Sequence, residues 1–112
     1  MPAEQLLLTP TQARRHAEAD EVNRLIALLR GSGWVSAKTI RALAGWDDRA
    51  VRRIAAASDG AVISGDAGYK LLAESTPEDF KEFSGRLQSQ IRRMAARMIR
   101  VRRRWQEYGR PL

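Results

Sequence analysis

Arg49, Arg52 and Arg53 stand together in "DDRAVRR", residues 47–53. A guanidinium is a planar, permanently charged fork of N–H donors that grips two acceptors at once. Carboxylates, phosphates and the O6/N7 edge of guanine all offer such a pair. Set on a helix at ~100° per residue, residues 49–58 divide into two sides. Ala50, Val51, Ile54, Ala55, Ala57 and Ser58 share one broad side. Arg49, Arg52, Arg53 and Ala56 share the other, within a sector of roughly 100°. A back of small and apolar residues lets a helix lie close to its neighbours, and a basic front suits the major groove of a duplex. Any surface helix also turns its charges outward, so the elements around this one must decide between the two meanings.

Those elements can be read from caps and periods. Thr9 or Thr11 caps a first helix, with Pro10 at or near its first turn. Its strong part is "DEVNRLIALLR", where Val22, Leu25, Ile26 and Leu29 recur on one face. "GSG", residues 31–33, stops it; without a lysine and a preceding strand it is no phosphate loop. Trp34-Val35 is a brief extended piece. Ser36 caps "AKTIRALA", with Ala37, Ile40, Leu43 and Ala44 facing inward. Gly45-Trp46 turns the chain, and Asp47 caps the arginine helix, predicted to run to Ser58. Two short strands follow, "AVIS" and "GYKLLA", about the glycine-flanked turn "GDAG". Thr76, Pro77, Glu78 and Asp79 then open a long last helix that can continue to Tyr108. The first eight residues carry "LLL" without a period and read as a tail or packed arm.

The expectation is a mainly α chain with a small β-hairpin (α+β), arranged as a winged helix-turn-helix with a long C-terminal helix. Residues 1–18 form the arm and helix start, 19–75 the winged domain, and 76–112 the long basic helix. The run "GWVSAKTIRALAGWDDRAVRRIAAASDGAVISGDAGYKL", with the later "SQIRRMAARMIRVRRR", resembles the small winged-helix proteins of bacteriophages and prophages. That resemblance implies a DNA-binding protein in phage transcription or replication control. No apolar run approaches a bilayer-spanning length and the N-terminus lacks the basic start and apolar stretch of a signal peptide, so a cytoplasmic, nucleoid-associated protein is expected.

Charge is unevenly placed. Residues 1–85 carry 11 Lys/Arg against 12 Asp/Glu, whereas residues 86–112 carry nine arginines against Glu107 alone. The positive field of the chain's last quarter favours a polyanion or an acidic protein surface. In that helix Phe80, Leu87, Ile91, Met94, Met98, Val101, Trp105 and Tyr108 recur at steps of 3 and 4, with Ser84 at the one polar position. This is an a/d heptad seam of about four heptads, longer than one small domain needs. It must pack on its own first helix, a second copy or a partner, and a homodimer through this helix is expected. A parallel pair meets an objection, because Arg97, Arg102 and Arg104 flank the seam.

The leading expectation is therefore a non-enzymatic double-stranded DNA binder. Arg49, Arg52 and Arg53 would reach base edges; Lys38, Arg41, Lys70, Arg100, Arg102, Arg103 and Arg104 would meet phosphates. Asp47, Asp48 and Asp66 lie towards the same side and favour a second reading, a winged-helix module that binds and redirects a host protein. Without a basic residue at its tip, the wing reads as short and structural. Binding of the last helix to a membrane surface is a weaker third, because helix pairing already explains the seam. With no cysteine and a single histidine, His16, the residues build no acid–base, nucleophilic or metal constellation, and no cofactor is expected.

Overall fold

Thr9 opens the first helix with a reciprocal cap: its hydroxyl accepts from the Gln12 N–H at 3.1 Å, and the Gln12 side chain accepts from the Thr9 N–H at 2.9 Å. Pro10, whose fixed φ suits the first helical position, follows. In the computed structural model, which describes residues 9–111, α1 runs Pro10–Leu29, α2 Ala37–Ala44 and α3 Asp48–Ala56. Strands β1 (Val62–Gly65) and β2 (Gly68–Leu71), a 3₁₀ turn (Leu72–Glu74) and α4 (Pro77–Glu107) complete the chain. The chain is mainly helical, with one small antiparallel hairpin and a long C-terminal helix. The segment read as a tail or packed arm, residues 1–8, lies outside the described residues. Among the described residues no helix is long and apolar enough to cross a membrane.

The chain forms two compact units, divided between Thr76 and Pro77. The core of the first joins Leu25 and Leu29 of α1, Ile40 of α2, Val51 and Ile54 of α3, and Val62, Tyr69 and Leu71 of the hairpin, with Val35. Each helix contributes part of its apolar face, which is how three elements exclude water from a shared centre. Ser36 caps α2 through the Thr39 N–H (3.1 Å), and Asp47 caps α3 through the Ala50 N–H (2.8 Å).

The hairpin is tied to the chain ahead of α2. Val35 and Tyr69 exchange both backbone hydrogen bonds at 2.9 Å, so the brief extended piece becomes a one-residue third strand. Trp34 lies against Gly65, where a Cβ would sit 2.9 Å from the indole. At the other end of the unit, the Glu74 carboxylate accepts from the Gly31 N–H at 2.9 and 3.1 Å, tethering the segment after β2 to the close of α1.

Three sequence expectations are corrected. Helix α3 stops at Ala56, two residues before Ser58. The buried Ser58 hydroxyl donates to the Ala55 carbonyl (2.6 Å) and accepts from the Val62 N–H (3.1 Å), turning the chain into β1 instead of prolonging the helix. Asp59 (φ 55°) and Gly60 (φ 84°) complete that turn. Strand β2 ends at Leu71 because Leu72–Glu74 coil into the 3₁₀ turn. Leu43, expected inward, is 69% exposed, for α2 is two turns long and only the arc holding Ile40 meets the core.

The second unit is built on α4. Pro77 starts it, Glu78 and Asp79 sit in the first turn where the helix dipole favours anions, and the helix continues through Gly85. None of its residues is buried.

Candidate nucleic-acid interface

Helix α3 turns Val51 and Ile54 into the core and leaves Arg49, Arg52 and Arg53 exposed on the opposite side. The arginine side and the Val51–Ile54 side of the wheel are as read, whereas Ala57, read as inward, is exposed and Ser58 lies beyond the helix. The three guanidiniums do not share one environment, however. Arg53 makes a two-pronged pair with Glu21 of α1, its terminal nitrogens lying 3.2 and 3.1 Å from the two carboxylate oxygens. The hydrogen bond from Arg53 holds the Glu21 carboxyl below its ordinary value of 4.5, and Glu21 in turn raises Arg53. Arg53 thus joins α3 to α1 through an exposed pair, a partner that Arg49 and Arg52 do not share. The acceptor is 32 residues upstream, beyond the reach of any local period.

Arg52 points to the other flank. With Asp48 it lines a cleft of about 300 Å³ whose remaining walls are Ser36 and Ala37 at the start of α2 and Ser64–Tyr69 of the hairpin. Burial raises the Tyr69 hydroxyl, with Arg52 opposing the rise and Asp48 adding to it. Arg49 sits between the two flanks. Among the described residues neither Arg49 nor Arg52 takes part in an ion pair. The two acidic neighbours are also distinguished by role: Asp47 is committed to its cap, while Asp48 faces the cleft beside Arg52.

Lys38 and Arg41 lie on the exposed side of α2, next to α3 in the same unit. Lys70 is half-buried, its ammonium 5.5 Å from the centre of the Trp34 ring, an arrangement that packs the hairpin more than it presents a charge. A third aromatic contact escaped the sequence reading: the Arg24 guanidinium lies 5.0 Å from the Trp46 ring centre and covers the α2–α3 turn from α1.

In the second unit Arg100, Arg102, Arg103 and Arg104 are all exposed on α4. Arg104 approaches Glu107 at 3.6 Å, and Arg110 stacks 5.2 Å from the Trp105 ring centre. The seam residues Phe80, Leu87, Ile91, Met94, Met98, Val101 and Trp105 are 40–70% exposed. Among the described residues no group of three or more His, Asp or Glu side chains is placed to hold a metal ion.

The Glu21–Arg53 pair has a testable sign. A carboxyl depressed in the folded state stabilises it above the unfolded value, and the contribution disappears as pH falls through the folded value. The stability gap between the native chain and Glu21→Gln is thus expected to be widest near neutrality and to close in acid below 4.5. Urea melts at several pH values measure it. The gap stays small throughout, because the pair is solvent-exposed.

Comparison of the chain with family models, with curated proteins and with solved structures found no match.

Proposed function

We propose that residues 9–76 form a winged helix-turn-helix that binds double-stranded DNA with α3 in the major groove. One observation carries this reading: Arg49 and Arg52, in no ion pair among the described residues, project from a nine-residue helix whose other face is locked into the core. A cost-free rotation of such a helix is impossible, so the two guanidiniums are presented in a fixed frame, as base-edge recognition requires. Arg53, paired with Glu21 in the free chain, reaches a base edge only by exchanging that exposed, weak pair for the new contact. Lys38 and Arg41 are the phosphate contacts of the same unit. Arg100, Arg102, Arg103 and Arg104 add phosphate contacts from α4, and most of the electrostatic affinity resides there, since residues 1–85 are close to neutral.

Selection from random duplexes, followed by gel shifts with variants, tests the assignment. Arg52→Ala is expected to cost about 1–3 kcal/mol on the selected site and to relax its base preference. Arg103→Ala is expected to weaken every duplex alike and to flatten the salt dependence by roughly one phosphate, about 0.9 in the log–log slope. Equal, sequence-blind losses from both variants would remove α3 as the reading element. Retention of a protein partner after nuclease digestion, with no duplex bound at low salt, would instead support the protein-interaction module, in which Asp48 and Asp66 beside Arg52 are the recognition groups.

A further inference from the structure

Helix α4 exposes a long apolar stripe interrupted only at Ser84. Along it, a positions are Ser84, Ile91, Met98 and Trp105, and d positions are Phe80, Leu87, Met94 and Val101. No residue of the helix is buried, and these large side chains leave about half of their surface in water. Half of the roughly 150–250 Å² an aromatic side chain carries, repeated over seven or eight side chains with smaller aliphatic ones among them, comes to some 600–800 Å². That is close to the ~800 Å² per partner of a standard stable interface. A stripe of this size is a cost in water unless something covers it.

Charge and shape identify the cover. In a parallel pair Arg97 would face the partner's Arg102 on both sides of the seam, and the seven arginines from Arg92 to Arg104 would lie along their own copies. Such a pair would also stack Ser84 on Ser84 and Trp105 on Trp105. Reversing one helix removes each conflict. Phe80 then meets the partner's Trp105, Ser84 the partner's Val101, Leu87 the partner's Met98, and Ile91 the partner's Met94. Every a position faces a d position, and small Ser84 is matched with a medium side chain. Arg97 now faces the partner's Gln90, and Arg104 the partner's Phe83, whose ring can accept a guanidinium. The acidic first turns, with Glu78, Asp79 and Glu82, lie beside the basic end instead of beside each other. Lys81 opposite the partner's Arg102 is the one like-charge contact that reversal introduces.

We infer that α4 associates with a second copy of itself as an antiparallel two-stranded coiled coil, centred between Arg92 and Arg93. The arrangement is a closed two-fold contact, so it stops at the dimer. Arg92, Arg93, Arg100 and Arg103 stay on its outer faces. This inference does not depend on nucleic acid, and its test is made in its absence.

The chain has no cysteine, so engineered ones report without background. Full-length Leu87→Cys and Met98→Cys are mixed and oxidised mildly, and the products are separated by intact mass. The expected product is the mixed Leu87→Cys/Met98→Cys disulfide, in clear excess over either homodisulfide. Homodisulfides in excess would establish parallel pairing and overturn the orientation. Light scattering on the unmodified chain is expected to give twice the 12.6 kDa chain mass at micromolar concentration, and Ile91→Asp is expected to return it to 12.6 kDa. A single-chain mass for the unmodified protein would overturn the pairing outright. Because no α4 side chain is buried, these substitutions leave the fold of the first unit intact, and its unchanged urea midpoint is the control.

Discussion

Gly68→Ala is expected to destabilise the first unit by about 3–5 kcal/mol, the largest effect of any single methyl addition in it. Two independent penalties act at this position. Its φ of 123° is a conformation that L side chains rarely adopt. An added Cβ would also lie 2.1 Å from the Val35 carbonyl oxygen and 2.7 Å from the Ser36 Cα, both backbone atoms with no rotamer to escape into. The chain would have to surrender the Val35–Tyr69 bridge, and with it the tie between the hairpin and the start of α2. Since about 1 kcal/mol moves a domain of this size by roughly 4–8 °C, the melting point should fall by about 12 °C or more. Emission of Trp34 and Trp46 in a Trp105→Phe background follows this unit without signal from α4. A loss under about 1 kcal/mol would show that the hairpin does not hold the backbone where the structure has it.

Ile54→Ala is the second large effect, at about 2–5 kcal/mol. Ile54 is 1% exposed and belongs to the core shared by α1, α2, α3 and the hairpin, so the missing atoms leave a cavity that elements anchored by other contacts cannot fill. Its neighbour makes the control. Arg53→Ala removes an exposed ion pair one residue away and is expected to cost far less. If the two variants melted together, the core would be carrying less of α3's attachment than its burial implies. The proposed DNA contact adds a second readout: Ile54→Ala should reduce duplex affinity only as the unit unfolds, whereas Arg52→Ala should reduce it with the melt unchanged.

Much of this was legible because it is local. The Thr9, Ser36 and Asp47 caps, the stop after Leu29, the two-sided α3 and the glycine-flanked hairpin are each set by neighbours within four residues. The errors have the opposite character. Ser58 continues the apolar side of the wheel, and only Val62, across the turn, shows that its hydroxyl is needed there. Leu43 keeps helical spacing with Ile40, yet spacing does not say how wide an arc the core will cover. The pair of Arg53 with Glu21 likewise has no local signal, since its partner comes from α1. Neither Trp34 over Gly65 nor Arg24 over Trp46 has a local signature, since each joins segments separated by other elements.

The anchoring of the hairpin at Val35 and beneath Trp34 leaves only Asp66 and Ala67 beyond the paired residues. Everything below that tip is tied by backbone hydrogen bonds or close packing to the segment that starts α2. Extra sequence grafted between the two tip positions would leave the sheet register as it is, but would rebuild the wall of the cleft beside Arg52, to which both residues contribute.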